Sequence, residues 1–357
     1  MGKKQSKLKQ GGSGKGASRI YGHGHGDYTA VSSPEVSDVK RYTPVHSDAV
    51  TSVTVAGDVS YITGSADQSM VLYRWKEGRL MQRWIGHKRE ITKVAHAPEL
   101  EATFSASRDK TIRMWKRGTT DGGTVELCNC KQTFSGHDLV VTGVDFGNGK
   151  LCSGSRDNSV RQWDITTGQC IHQSVIPRNL VTHLKCVPGE NLVVQTSEDR
   201  CLRIWDTRTL TEAHVFPKKQ YIQTCCDVTP DGNYCLTSSN GVGGKGCEAT
   251  LWDLRAQSLV AEYHGHQQTT SACCFIPNIY SKPLIATCSN DGTVRVWDRN
   301  SCACITMLSI VGFGSLTSIA ANTDKSICVG SVSRGVHIAT LLEEPVGQFR
   351  FIYVAQY

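Results

Sequence analysis

From about His46 to the C-terminus, short β-patterned runs of apolar residues alternate with polar turn clusters, and the alternation repeats. The fullest copy is Gly154 to Asp164, GSRDNSVRQWD. In each full copy a Ser stands two residues before an Asp and a Trp stands six residues after it. The copies are Ser107, Asp109 and Trp115; Ser155, Asp157 and Trp163; Ser197, Asp199 and Trp205; and Ser289, Asp291 and Trp297. Trp115 to Trp163 is 48 residues, Trp163 to Trp205 is 42, and Trp252 to Trp297 is 45. Gly-His opens the upstream segment at Gly86-His87, Gly136-His137 and Gly265-His266.

A period of roughly 40–45 residues with these marks fits one four-stranded propeller blade. The spacing predicts an all-β chain with residues 38–357 forming a seven-bladed β-propeller, a closed ring that leaves only short protected edges. Each blade would bury its faces against its neighbours, giving a continuous core. The marks resemble the WD-repeat β-propeller family over nearly the whole chain. That resemblance implies a hydrogen-bonded chain in each full blade: His87, Ser107, Asp109 and Trp115; His137, Ser155, Asp157 and Trp163; His266, Ser289, Asp291 and Trp297. The chemistry agrees, since a buried indole and a buried carboxylate both need partners. His, Asp and Ser together suggest a hydrolase triad, but catalysis needs one site and this set recurs in three blades. No catalytic, metal or cofactor residues are assigned, and the chain reads as a non-enzyme.

Other repeats depart from the pattern. Repeat one carries His46, Ser65 and Asp67 but has Tyr73 in the Trp position, with Trp75 two residues out of register. Repeat four offers Arg178 or Asn179 where His would stand. Repeat five has a glycine-rich insertion, Asn240 to Cys247, expected as a mobile turn; it lacks the order of a phosphate-binding loop. Repeat seven lacks Asp and Trp. Its fourth strand is expected from either Val39–Thr43, as the family closes its ring, or Phe349–Val354.

Charge is uneven. The net formal charge is +7, and Met1 to Arg19 holds six Lys or Arg and no acid, so a basic tail precedes a nearly neutral disc. Residues 1–37 are rich in Gly and Ser and are expected to be disordered. Gly2 with Ser6 matches the N-myristoylation pattern. Lys3, Lys4, Lys7 and Lys9 follow, and an acyl chain with a polybasic patch anchors stably to an anionic leaflet. Sixteen Cys without an apolar leader or membrane span point to buried core thiols in a reducing compartment. The close pairs, among them Cys225-Cys226 and Cys273-Cys274, lack zinc-site spacing.

In the family the face bearing the turn Asp commonly binds partners. Lys88, Arg89, Arg108, Arg156 and Arg178 would lie there as an arc suited to an acidic or phosphorylated segment. First strands line the central channel in this family, and one register of them carries Thr51, Thr92, Thr142, Thr182, Gln223, Ser271 and Thr317, read as a polar ring hydrating that channel. The expected function is a monomeric, membrane-tethered protein-interaction scaffold without cofactors. MGKKQSKLK, ITKVAH, VVTGVDF, SRDNSVRQWD, QTSEDRCLRIWD and SNGVGGKGCEATLWDLR together resemble ciliary members of the family. They imply a role in cilium biogenesis, intraflagellar transport and membrane trafficking beside small-GTPase regulators. The alternative is a nuclear or cytosolic adaptor whose tail contacts nucleic acid or acidic proteins.

Overall fold

The computed structural model describes residues 39–117, 130–345 and 347–357. The described strands form seven sheets, each built on four consecutive antiparallel strands. The first strands of the blades are Val50–Val55, Ile91–Ala97, Val141–Gly147, Val181–Cys186, Gln223–Val228, Thr270–Phe275 and Leu316–Ala321. They surround a central cavity of about 230 Å³. The propeller read from the repeat spacing is the fold.

Packing follows the pattern that identified the repeats. Trp115, Trp163, Trp205, Trp252 and Trp297 are almost fully buried, each on the third strand of its blade. Each indole fills the space between sheets, where Trp163 joins the core of the preceding blade against Phe134. Burying so large a ring is worth roughly 2–3 kcal/mol per side chain in area alone.

A β-bulge interrupts the first strand pair of every blade. The skipped residues are Thr51, Thr92, Thr142, Thr182, Thr224, Ser271 and Thr317. A bulged residue leaves the ladder and its side chain is re-aimed. Here the hydroxyl reaches the next blade: Thr51 donates to Ile91 O at 2.6 Å, Thr142 to Val181 O at 2.6 Å, Thr182 to Gln223 O at 2.6 Å and Thr224 to Thr270 O at 2.7 Å. Thr92 bonds Val141 O, and Thr317 closes the circle on Val50 O. Ser271 instead bonds Asn290 at 2.8 Å. The polar ring is therefore a set of seam stitches and not a channel lining. Its fifth member is Thr224, because Gln223 precedes the bulge and bonds Ser239 of its own blade.

The last blade takes its fourth strand from the C-terminus, Gln348–Gln356, paired antiparallel with Val336–Glu344. The N-terminal segment also joins it: Lys40–Arg41 adds a short fifth strand, parallel to Gln348–Gln356. The fourth-strand position goes to the C-terminal candidate, and the N-terminal segment expected to close the ring in family fashion adds only an outer fifth strand.

Candidate functional site: the loop face of the ring

The end of the ring that carries the Gly-His loops also carries the turn Asp residues, because the two bond each other. His87 Nδ1 lies 2.7 Å from Asp109, His137 Nδ1 2.8 Å from Asp157, and His266 Nδ1 3.1 Å from Asp291. Each Asp also caps its own turn and the loop, as Asp109 accepts from the Thr111 and Lys88 backbone N–H groups. Burial pushes these carboxyls up, but the His partner and the hydroxyl and backbone donors outweigh it and hold them well below the usual range. Burial lowers His137 and His266 despite the Asp partners.

The hydroxyl that completes each chain is not the expected one. Ser105 Oγ, two residues before Ser107, accepts the Trp115 indole N–H at 2.8 Å and meets His87 Nε2 at 2.7 Å. Ser153 replaces Ser155 between Trp163 and His137, and Thr287 replaces Ser289 between Trp297 and His266. Ser107, Ser155 and Ser289 serve the turn: each accepts the N–H of Asp109, Asp157 or Asp291 and donates to a loop carbonyl. The reason is strand alternation. Residues two apart share a face, and cross-strand pairing of Thr103 with Trp115 sets the earlier hydroxyl beneath the indole.

Departing blades rebuild the same contact with other groups. In blade four the Trp205 indole donates to Gln195 at 3.1 Å, Gln195 and Asn179 exchange amide bonds, and Arg203 joins Asn179 to Asp199. Asn179, not Arg178, takes the His role, and Gln195 and Arg203 carry no repeat mark that could have revealed them. In blade five Lys219 stands four residues before the first strand, as His87 does, and pairs with Glu248 and Glu262. Trp252 finds Thr237 at 3.0 Å. Blade one keeps His46, Asp67 and Thr63, but Tyr73 and Trp75 leave the network and bond blade seven.

The basic arc is partly neutralised. Arg108 pairs with Glu90 at 3.3 Å, and Arg156 pairs with Glu198 of the next blade. Lys88, Arg89 and Arg178 are exposed and make no ion pair among the described residues. Exposed apolar residues interrupt the same face: Leu139, Val242, Val311 and Val332, with Val311 82% and Val242 79% exposed. The glycine-rich insertion that holds Val242 is tied down rather than mobile. Gly244 N donates to Gln267 O at 3.1 Å, Val242 bridges Lys245 and Gln268, and Gly246 packs against the Tyr221 ring. Gly2, Lys3, Lys4, Lys7 and Lys9 lie outside the described residues.

The buried His–Asp–hydroxyl–indole chain is complete in three blades, and those blades are similar to WD40 repeats. The family model "WD domain, G-beta repeat" matches residues 78–116, 128–164 and 257–298, the three segments that hold the full networks. Nuclear distribution protein PAC1 of Coccidioides posadasii is 26% identical over 70% of this chain and 57% of its own length. Nuclear distribution protein nudF of Aspergillus flavus is 28% identical over 74% of this chain and 61% of its own length. Pre-mRNA-processing factor 19 homolog 2 of Arabidopsis thaliana is 26% identical over 66% and 35%. The matches thus span about a third to three-fifths of those relatives. Among solved structures, the WD40 β-propeller domain of Doa1 covers 85% of this chain and 96% of its own with a TM-score of 0.70 at 21% identity, a likeness of fold.

Proposed function

We propose that this chain is a non-enzymatic protein-interaction scaffold, held at a membrane by a myristoyl group on Gly2 with Lys3, Lys4, Lys7 and Lys9, and serving ciliary membrane trafficking. The observation that carries the scaffold reading is the division of labour on the loop face. The groups with chemical capability are spent inside the blades on packing networks. What remains outside is a stable platform of unpaired cations, Lys88, Arg89 and Arg178, next to exposed Val and Leu side chains. Cations at the rim steer an acidic segment, and apolar residues among them supply desolvated contact. Relatives named for nuclear distribution and for pre-mRNA processing put similar propellers in unrelated roles, so the role of this one rests on its own surface and tail.

The experiment is membrane fractionation with intact mass of the N-terminus, comparing wild type with Gly2→Ala in ciliated cells. A myristoylated wild type that pellets with membranes and a soluble variant support the tether. An unmodified Gly2 with identical fractionation of both sinks it, and the basic tail then needs an acidic-protein or nucleic-acid explanation. Charge reversal of Lys88, Arg89 and Arg178 should remove bound partners recovered by crosslinking while leaving the melting temperature unchanged.

A further inference from the structure

The central channel holds chemistry that the scaffold reading does not use. Just beyond the bulge, the inner strands send one side chain across each of several seams to the neighbouring blade. Ser318 accepts the Val53 N–H at 3.1 Å, Ser52 accepts the Val94 N–H at 3.1 Å, and His183 Nδ1 accepts the Cys226 N–H at 3.4 Å. At the seam between blades five and six this register is occupied by Cys225, and the residue it faces is Cys273. The Cys273 thiol points back into blade five, 3.6 Å from Leu236 O. Both thiols belong to one packed cluster in that seam, and each shifts the other's titration.

Both line the central cavity, together with Lys93 and His183. His183 is buried, with its Nε2 unpartnered, and sits beside Cys225. The Lys93 ammonium makes no ion pair among the described residues, so its charge acts across the channel on the thiols. The neighbouring Cys273 thiol, helped by His183 and Lys93, holds the Cys225 thiol well below its ordinary range against the opposing effect of burial. Burial and the same contact push Cys273 well above its own. One member is therefore set up as the thiolate and the other as the proton-bearing partner.

We propose that Cys225 and Cys273 form an oxidation site in the channel wall, with a small peroxide as oxidant and a Cys225–Cys273 disulfide across the blade five–six seam as product. The Cys225 thiolate attacks one peroxide oxygen; the O–O bond breaks, hydroxide leaves and is protonated to water, and Cys225 becomes a sulfenic acid. The Cys273 sulfur then attacks the Cys225 sulfur; the S–O bond breaks, and the departing hydroxide takes the Cys273 proton as a second water. Two thiols and one peroxide give one disulfide and two waters. Two lysines and two aspartates, Lys93, Lys185, Asp145 and Asp227, share the wall, so what selects this pair is the mutual contact of its thiols beside His183 and Lys93, whereas burial pushes Cys226, Cys235 and Cys274 up.

The test is a non-reducing tryptic map of the reduced, folded full-length protein after stoichiometric hydrogen peroxide at neutral pH. Peptides 220–245 and 256–295 should become linked and should separate on reduction. Cys225→Ser should abolish the link, and Cys226→Ser and Cys274→Ser should retain it. In Cys273→Ser a sulfenic-acid trap should label Cys225. A link that survives in Cys225→Ser, or that forms only in denaturant, overturns the proposal. Wild type alone also decides: trapping at Cys225 should be about tenfold faster than at the exposed Cys304, whose thiol burial of its sulfur raises. Equal rates, or labelling of Cys304 first, refute it.

Discussion

The Trp75 indole N–H donates to Asp324 Oδ2 at 3.0 Å, joining residues 249 positions apart across the seam where the last blade meets the first. The same seam holds Tyr61 OH on Ser326, Tyr73 OH against Cys328 Sγ, Tyr357 OH on the Trp75 carbonyl at 2.6 Å, and Lys76 on Asp324 at 3.3 Å. Trp75→Phe should therefore cost about 1 kcal/mol, the net worth of one hydrogen bond, since Lys76 still pairs with Asp324. Urea unfolding measures it, and an unchanged midpoint would show that the seam does not depend on this bond.

The two serines of blade two can be told apart by removal. Ser105→Ala strips a partner from both the Trp115 indole and His87 Nε2, and about 2–4 kcal/mol of stability should go with it. Ser107→Ala loses a turn contact to the Asp109 N–H and should cost about 1 kcal/mol. Equal losses in thermal or denaturant melts would contradict the assignment.

Acid should weaken the ring in two stages. Burial lowers His137 and His266, and it lowers His337 to about 4. The unfolded chain therefore takes up protons first, below about pH 6.5, and stability falls as pH falls from there to about 4. His337 alone accounts for about 3 kcal/mol of this loss. Asp67, Asp109, Asp157 and Asp291 are held low, so their contribution is present above the ordinary Asp range of about 3.9 and is lost only in the second, more acidic stage. Melting temperatures from pH 7.5 to 4.5 should decline, and His337→Asn should flatten the profile. A flat wild-type profile contradicts the reading.

Gly246 has φ +71°, and a Cβ there would meet the Tyr221 ring at 2.3 Å. Gly246→Ala should destabilise by about 1–3 kcal/mol through strain and displacement of that ring. If the insertion were a free turn, the variant would melt like wild type.

The period of the tryptophans was enough to reveal the propeller because a buried indole recurs at the same strand position in five consecutive blades. The hydroxyl beneath it was not legible: Ser105 and Ser107 share a strand face, and only the pairing of Thr103 with Trp115 distinguishes them. Gln195 and Arg203 were invisible for a related reason, since Gln195 stands in for the hydroxyl and Arg203 links Asn179 to Asp199 in one blade only. Gln223 was mistaken for Thr224 because a bulge inserts a residue without leaving a sequence mark. The arc on the loop face looked more basic than it is, because Glu198 meets Arg156 from the neighbouring blade. The Cys225 and Cys273 pairing could not be read from spacing, since the ring and not the chain brings them together.

The first described strand has a mechanical meaning. Lys40–Arg41 lies against Gln348–Gln356 through two parallel residue pairs, backed by Tyr42 stacked on Tyr357 at 4.6 Å. The closing strand itself is held on its other edge by eight antiparallel pairs. Tension on the chain ahead of Lys40 would thus fall first on the short contact, which would tear away while the longer ladder keeps the last blade whole.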